Sequence, residues 1–176
     1  MIRIYIGKSA AGKDYFYRKD IEEKNFKPIV SYTTRPIRDK EINGKDYNFI
    51  SKKKFAYLEK SGLIIESRSY NTKVNGKDDI WYYGTPKIQN PDEDYVVVVD
   101  IDGAKALVTA FPDKCEILYI EADSKIRTER AKHRGSFDET EWNRRLKDDE
   151  IKFSDKRLKE LETLYGKPIK HIINNK

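Results

Sequence analysis

The sequence predicts an α/β fold in which helices flank a central parallel sheet of about five strands. Three short runs, IRIYI, YVVVVDID and CEILYIEA, are almost wholly apolar, which is typical of strands buried on both faces of a parallel sheet. Charged segments of helical composition separate these runs, and this alternation indicates helices that connect parallel strands. Residues 31–85 break the alternation with two hairpin signals, which predicts a mixed β/α insertion.

Local signals place the individual elements. The first strand ends at a glycine, and a helix begins after a glycine-bounded loop. Ser51 can cap a second helix, which Gly62 can end, and Asp138 is expected to cap one long charged helix that runs towards Leu164. Asn-Gly pairs at 43–44 and 75–76 predict turns. The expected elements are, in order, a strand at 2–6, a helix at 13–24, a strand in YNFIS, a helix at 52–60, strands in LIIES, YVVVVDID and CEILYIEA, helices at 124–132 and from 139 onwards, and a strand in KPIKHII.

Composition limits the classes of protein that this chain can represent. Its 176 residues suffice for one domain with a core, and 38% are hydrophobic while another 38% are charged. The single cysteine, Cys115, cannot form an intramolecular disulfide and is expected to be a buried thiol. No apolar run has the length of a membrane span and no signal peptide is recognisable, so we expect a cytoplasmic protein without a membrane partner. The net charge is +6, but the arginines fall in small clusters, which favours small phosphates over nucleic acid.

The stretch IYIGKSAAGKDYF carries the pattern of a phosphate-binding loop. Because G-x-x-x-x-G-K directly follows an apolar strand, backbone N–H groups and the start of the next helix are expected to hold phosphate. The pattern departs at Asp14, where Ser or Thr usually holds Mg²⁺. A carboxylate in the first helical turn is a hard oxygen ligand, so Asp14 either binds Mg²⁺, directly or through water, or faces solvent. The expected ATP-binding residues of the loop are Gly7, Lys8, Ser9, Ala10, Ala11, Gly12, Lys13 and Asp14.

A longer motif, SYTTRPIRDKEINGKDYNFIS, begins at Ser31 and resembles the GMP-binding segment of guanylate kinases. The pattern of that segment is S-x-T-T-R-x-x-R followed by E-x-x-G-x-D-Y-x-F. The resemblance continues through WYYGTP, VVVVDIDGAKAL, RGSFDETEWNRRL and the terminal IIN. It implies a P-loop kinase fold with a short helical lid. It also implies in-line transfer of a phosphoryl group from ATP to GMP or dGMP, with Mg²⁺ as cofactor.

The resemblance also implies a role for individual residues. Arg35 and Arg38 would clamp the GMP phosphate together with the hydroxyls of Tyr47 and Tyr83. Ser31, Glu66 and Thr85 would read the guanine edge. The remaining implied residues are Asp100 and Asp102 beside the guanosine and the reacting phosphates, Arg134 and Arg145 over the transferring phosphoryl group, and Asn174 near the adenine. Lys13, Arg38, Arg134 and Arg145 form the implied catalytic set.

Elementary chemistry supports these residue types independently. Phosphoryl transfer between nucleotides requires two phosphates in line with their repulsion cancelled, and guanidinium groups match phosphate oxygens in pairs. A carboxylate suits guanine, whose N1–H and N2 amino group both donate, whereas adenine presents an acceptor at N1. Two ambiguities remain open in the sequence. One of Arg144 and Arg145 is expected to face solvent, and Tyr82 beside Tyr83 is an alternative for the phosphate-side hydroxyl.

The chain is therefore expected to be a single guanylate kinase-like domain. The expected core covers about 1–30, 86–122 and 145–176, the GMP-binding insertion about 31–85 and the lid about 123–144. The stretch between Glu66 and Tyr83 is longer than in the family and VVVVDIDGAKAL is shorter, so acceptor specificity stays open. One alternative is a ribose 1,5-bisphosphate phosphokinase or another (deoxy)nucleoside monophosphate kinase, and another is a non-catalytic phosphopeptide-binding domain. We expect a monomer or a homodimer.

Overall fold

A computed structural model describes residues 1–39, 41–74, 77–90, 92–133 and 137–176. The chain folds into two compact units, Met1–Lys27 with Asp92–Lys176 and Pro28–Pro91. Its elements are, in order, β1 (Ile2–Ile6), α1 (Lys13–Lys24), β2 (Lys27–Pro28), β3 (Tyr32–Thr33), β4 (Asn48–Phe49), α2 (Lys52–Lys60), β5 (Ile64–Val74), β6 (Lys77–Pro86), β7 (Tyr95–Val98), α3 (Ile101–Ala110), β8 (Cys115–Glu121), α4 (Ser124–Lys132), α5 (Glu139–Lys152), α6 (Asp155–Tyr165) and β9 (Lys170–Ile173).

The first unit contains a five-stranded sheet with the strand order β2-β7-β1-β8-β9. β1 pairs in parallel with β7 and β8, and β8 pairs in parallel with β9. β1 lies at the centre, and its apolar side chains at Ile2, Ile4 and Ile6 are fully buried because the sheet is covered on both faces. This sheet confirms the α/β fold that the apolar runs predict.

Helices cover the central sheet. α1 packs through Phe16 and Ile21 against the cluster that includes Tyr5 and Leu118. α3 lies against β1 and β8, and it also contacts α6. Cys115 is buried as expected, and burial raises the pKa of its thiol to about 11. No helix in the described part of the chain combines the length and the apolar character that crossing a membrane requires.

The prediction of one long helix from Asp138 towards Leu164 is wrong. Asp138 does cap α5, since its carboxylate accepts a hydrogen bond from the Glu141 N–H at 2.7 Å. However, α5 ends at Lys152, and a new helix begins after Ser154. The break occurs because Phe153 leaves the helical conformation, is buried, and stacks on Tyr119 with the ring centroids 5.8 Å apart. Packing at this one aromatic residue therefore overrides continuous helix propensity.

The second unit contains a four-stranded sheet with the strand order β4-β3-β6-β5. β5 and β6 form a long antiparallel hairpin, with β5 on the edge of the sheet. Pairing in this hairpin is described as far as Val74 and Lys77, and the turn predicted at Asn75 and Gly76 lies outside the described residues. α2 begins after Ser51, whose hydroxyl accepts from the Lys54 N–H at 3.2 Å as the sequence predicts.

Candidate functional site

The loop at residues 7–12 joins β1 to α1 and has the backbone conformation that its glycines permit. Gly12 has φ +96°, and a Cβ at this position would lie 2.2 Å from the amide nitrogen of Asn174. A Cβ on Gly7 would lie 2.3 Å from the carbonyl oxygen of Ile120. Ala10 has φ +58° although it carries a Cβ, so the loop holds one non-glycine residue in the left-handed region.

Lys13 begins α1 and closes the loop. Its ammonium group donates to the carbonyl oxygens of Gly7 at 2.7 Å and Lys8 at 3.0 Å. The start of α1 adds a partial positive charge to the same place, because its first N–H groups have no partner within the helix. The loop thus combines a lysine with the start of a helix, and this is a combination that binds phosphate.

Ser9 is held by two helices from the C-terminal part of the first unit. Its N–H donates to Oδ2 of Asp149 at 2.8 Å, and its hydroxyl lies 3.2 Å from Oδ1. Arg127 of α4 donates to Asp149 at 3.2 Å and to the Ser9 carbonyl oxygen at 3.4 Å. Beside this group, the ammonium of Lys8 lies 2.7 Å from both carboxylate oxygens of Glu150. Sequence patterns do not identify Arg127, Asp149 or Glu150, since only the tertiary fold brings them to the loop.

The opposite side of the loop is held by Arg130 and Asn174. Arg130 donates to the carbonyl oxygens of Ala11 at 3.2 Å and Asn174 at 2.9 Å. The Asn174 amide donates to the Ala11 carbonyl oxygen at 2.9 Å. Asn174 therefore lies beside the loop, while its implied place near the adenine stays a prediction. Arg130 is a further residue that the sequence reasoning missed.

Asp14 lies in the first turn of α1 and is exposed. The described residues contain no group of three or more His, Cys, Asp and Glu side chains that could hold a metal ion. Proteins commonly bind Mg²⁺ through one or two carboxylates while substrate phosphates and water supply the other ligands, and Asp14 offers one such carboxylate beside the loop. The residues present therefore suit a metal that arrives with the nucleotide.

The neighbouring arginines Arg144 and Arg145 lie on α5. Arg145 donates to Glu141 at 2.9 Å, and Arg144 donates to the same carboxylate at 2.7 and 2.8 Å. The hydrogen bond from Arg144, together with that from Arg145 and against the opposing effect of burial, lowers the pKa of Glu141 to about 2. Neither arginine therefore simply faces solvent, in contrast to the expectation for one of them. Arg134 lies outside the described residues.

Asp100 and Asp102 have contacts of their own within the first unit. Asp100 caps α3, because its carboxylate accepts from the Gly103 N–H at 3.1 Å. Asp102 forms an ion pair with Arg157 of α6. Their implied roles beside the guanosine and the reacting phosphates stay predictions.

In the second unit, the three residues expected to read guanine lie in one row across the sheet. Glu66 of β5 pairs with Thr85 of β6, and the Thr85 hydroxyl donates to the Glu66 carboxylate at 2.7 Å. Tyr32 of β3 pairs with Gly84, so the preceding residue, Ser31, lies beside Thr85. Because neighbours in one row of a sheet point to the same face, the three side chains share a face.

The phosphate-side residues continue this face. Tyr83 pairs with Arg68, two rows further along the hairpin and so on the same face, and its ring centroid lies 6.0 Å from that of Tyr47. Tyr82 points to the opposite face, where its ring packs on Phe55 of α2 at 5.5 Å. Tyr83, and not Tyr82, therefore shares the face of Glu66 and Thr85, and its role at the phosphate stays a prediction. Arg68 is a further cation of this face that no sequence motif indicated.

Arg35 is buried and held by Glu41. Its guanidinium donates to the two carboxylate oxygens at 2.9 and 2.8 Å, and it lies 5.5 Å from the centre of the Tyr47 ring. Burial opposes ionisation of Glu41, but hydrogen bonds from Arg35 and the Arg38 N–H outweigh it and hold the pKa of the carboxyl below its usual value. Arg38 is exposed at the edge of this group. The Glu41 carboxylate thus holds the guanidinium of Arg35 and the backbone N–H of Arg38.

Comparisons with known proteins identify relatives over most of the chain. The sequence profile of the guanylate kinase family matches residues 2–162. The guanylate kinase of Lactobacillus acidophilus is 30% identical over 154 residues, which are 84% of this chain and 72% of that protein. The guanylate kinase of Caldanaerobacter subterraneus subsp. tengcongensis is 32% identical over 154 residues, which are 84% and 70% of the two chains. A crystal structure of guanylate kinase from Anaplasma phagocytophilum has the same fold, with a TM-score of 0.65 at 22% identity over 100% of this chain and 77% of that chain.

Proposed function

Because the chain belongs to the guanylate kinase family, we propose that it is an ATP-dependent guanylate kinase that converts GMP to GDP. One observation carries the proposal: the chain has a braced phosphate loop closed by Lys13, and it also has the Ser31–Thr85–Glu66 row on a separate sheet. The first is suited to a nucleoside triphosphate, and the second presents a carboxylate to a base edge that donates two hydrogen bonds.

On the acceptor side, Glu66 would receive the N1–H and the N2 amino group of guanine. The Thr85 hydroxyl already donates to Oε1, so it orients the carboxylate and leaves Oε2 for the base. Thr85 is almost fully buried, which keeps this hydrogen bond away from competing water. Adenine would place an acceptor against the carboxylate, and the resulting unpaired buried group would exclude it.

The acceptor phosphate would lie against Tyr47, Tyr83 and the arginines. Glu41 compensates the charge of Arg35, so Arg38 and Arg68 would supply the remaining positive charge on this face. The tyrosine hydroxyls donate hydrogen bonds without adding charge. Such a combination holds a dianionic phosphate in place and leaves one of its oxygens to attack.

On the donor side, Lys13 would exchange its two carbonyl partners for the β- and γ-phosphates of ATP. The acceptor phosphate oxygen attacks the γ-phosphorus in line, and the bond from that phosphorus to the bridging β–γ oxygen breaks, leaving ADP and GDP. Arg134 and Arg145 would stabilise the charge on the transferring group. Mg²⁺, when bound, would neutralise phosphate charge, and Asp14 in the first turn of α1 would hold it, directly or through water.

A coupled assay tests the proposal. ATP with Mg²⁺ is offered together with GMP, dGMP, AMP, CMP, UMP or ribose 1,5-bisphosphate, and ADP formation is measured. We expect turnover with GMP and dGMP and none of comparable rate with the other acceptors. Preferential use of ribose 1,5-bisphosphate, or ATP binding without turnover of any acceptor, would contradict the proposal. Cytoplasmic location and a monomeric or homodimeric state, without nucleic acid or membrane, stay predictions.

A further inference from the structure

A buried ion pair fixes the phosphate loop to the helix that carries Arg145. Arg127 and Asp149 are about as buried as apolar core residues, with 3% and 6% of their surfaces exposed. They bond to each other, and both bond to Ser9. Burial of two charges costs free energy unless their hydrogen bonds are satisfied. The hydrogen bonds that this pair makes to a third residue are therefore the feature to explain.

The Ser9 peptide is what the pair holds. Asp149 accepts from the Ser9 N–H at 2.8 Å and from its hydroxyl at 3.2 Å, and Arg127 donates to the Ser9 carbonyl oxygen. Both polar groups of one peptide segment are thereby fixed. The Nε of Arg127 is buried without a hydrogen-bond partner among the described atoms. The guanidinium therefore binds Asp149 and Ser9 in an orientation that leaves one of its own donors unpaired.

The Arg127–Asp149 pair, which we call the brace of Ser9, adds no net charge to a site that has to receive a triphosphate. The carboxylate of Asp149 alone would repel phosphate, but Arg127 compensates it, and Glu150 is compensated by Lys8. A purely structural anchor could use an uncharged acceptor. An ionised carboxylate that is paired with an arginine is a stronger acceptor for a backbone N–H than an uncharged group, because hydrogen bonds to charged groups are shorter and stronger.

Asp149 also shares a helix face with Arg145. The two residues are four positions apart on α5, so their side chains are neighbours on the helix surface, and the axial rise between them is about 6 Å. Trp142, one turn before Arg145, is buried and donates to Thr128 of α4 at 3.2 Å. Arg145 is therefore flanked by two anchor points, one to α4 and one to the phosphate loop.

We propose that Asp149 is a positioning residue for phosphoryl transfer, which acts by fixing Arg145 relative to the donor loop through Ser9. The role rests on the proposed function, since it concerns the transfer from ATP to the acceptor. Asp149 is a rigid support that would touch neither nucleotide. Its contribution to kcat would pass through Arg145, and its contribution to ATP binding would pass through the loop.

A double-mutant cycle tests this role. Asp149→Asn removes the charge and keeps the size, and we expect kcat to fall about 10–100-fold, since misplacement of a catalytic group by 1 Å can cost about 10²-fold. The KM for GMP should be unchanged. In an Arg145→Ala background, Asp149→Asn should lower kcat by less than about threefold, because the group it positions is absent. Equal losses in both backgrounds, or no loss in either, would overturn the proposal.

Two controls separate positioning from folding. If Asp149→Asn unfolds the protein, the pair can be replaced by apolar residues with Arg127→Met and Asp149→Leu, which buried ion pairs often tolerate. We then expect a folded protein with the same loss of kcat and the same dependence on Arg145. The matched control is Glu160→Gln, which breaks the Lys105–Glu160 pair between α3 and α6 at 2.9 Å and should leave kinetics unchanged. A folded, fully active apolar variant would refute the role of Asp149.

Calorimetric titration with ATP alone keeps the two proposals distinguishable. Wild-type protein without turnover of GMP contradicts the proposed function, whatever Asp149 does. The brace still predicts that Asp149→Asn weakens ATP binding about tenfold, because the loop loses its fixed geometry. An unchanged ATP affinity in the variant would contradict the brace, even in an active enzyme.

Discussion

The candidate donor region of the first unit and the candidate acceptor region of the second unit are built in different ways. In the second unit, Ser31, Thr85 and Glu66 lie in one row because three neighbouring segments are in register. In the first unit, the phosphate loop is held by residues far away in the chain. The partner of Ser9 lies 140 positions away, and the Asn174 amide bonds to Ala11 across 163 positions.

This difference predicts how each half responds to substitution. Strand register fixes the acceptor face, so a single change there removes one contact and leaves its neighbours in place. The donor loop depends on several long-range contacts that converge on six residues, so a change there alters the geometry of the whole loop. Substitutions at the donor loop and at the residues that hold it should therefore lower kcat, and those on the acceptor face should mainly change affinity for the acceptor.

The largest effect is expected at Lys13. Lys13→Ala removes the ammonium group that donates to the loop carbonyl oxygen of Gly7. We expect activity to fall about 10³-fold or more, since phosphoryl transfer depends on positioning and charge stabilisation. Steady-state kinetics with GMP and ATP measure the loss. Lys19→Ala, on the same helix, is the matched control and should be neutral. A Lys13→Ala enzyme with substantial turnover would show that the donor loop is not the site of transfer.

Arg145 should follow closely. Arg145→Ala is expected to lower kcat by roughly 10³-fold, by analogy with arginines that stabilise the transition state in related chemistry, while the KM for GMP changes little. Arg144→Ala is the control, because Arg144 binds the same Glu141 carboxylate. We expect it to cost only a few-fold. Equal losses from the two substitutions would mean that Glu141, rather than Arg145, is the functional group.

Sequence reasoning succeeds where contacts are local in the fold. The hairpin of β5 and β6 is local in the chain and brings Glu66, Thr85 and Tyr83 to one face, although these residues were expected in the acceptor site only through the resemblance to guanylate kinases. The glycines and Lys13 of the loop were equally predictable, since their spacing is dictated by the backbone. The burial of Phe153, which divides the predicted long helix, was not, because it depends on Tyr119 of another element.

The contacts around the loop show the same limit. Arg127, Asp149 and Glu150 look like ordinary members of charged helices in the sequence, where residues of this kind usually face solvent. Only tertiary packing brings them to Ser9 and Lys8. The same holds for Glu41, whose pairing with Arg35 follows from the path of a loop. A motif thus predicts the residues that touch a ligand better than those that hold the motif in place.

At the acceptor face, the expected effect is smaller and confined to binding. Glu66→Gln or Ser31→Ala should raise the KM for GMP about 10–100-fold, corresponding to about 1–3 kcal/mol for one lost partner of a buried polar edge. Selectivity against AMP should weaken, and the KM for ATP should stay the same. Glu59→Gln, which changes a carboxylate that binds Ser67 of the same hairpin, is the control. Unchanged acceptor affinity in both variants would mean that guanine is read elsewhere.

Asp14 tests whether the loop has replaced its usual metal-binding hydroxyl. Asp14→Asn keeps the size and removes the charge, so we expect the Mg²⁺ concentration for half-maximal rate to rise a few-fold with no change in the KM for GMP. A magnesium titration at saturating ATP and GMP measures the shift. An unchanged titration would show that Asp14 faces solvent and that nucleotide and water complete the metal shell.

The smallest effect concerns the strained residue of the loop and is expected in stability. Ala10 has φ +58°, a conformation that costs an L-residue with a Cβ roughly 1–2 kcal/mol. Ala10→Gly relieves this strain, while the greater freedom of the unfolded chain offsets about 0.4–1 kcal/mol, so a net gain of about 0.5 kcal/mol is expected. Ala11→Gly is the control: Ala11 is fully buried and has no positive φ, so the same change should destabilise by about 1 kcal/mol. Urea unfolding of both variants measures whether the free energy of unfolding rises for Ala10→Gly and falls for Ala11→Gly. If Ala10→Gly also destabilised the protein, the predicted strain at Ala10 would be contradicted. The positive φ of Ala10 would then cost no free energy of folding, because contacts around the loop stabilise it.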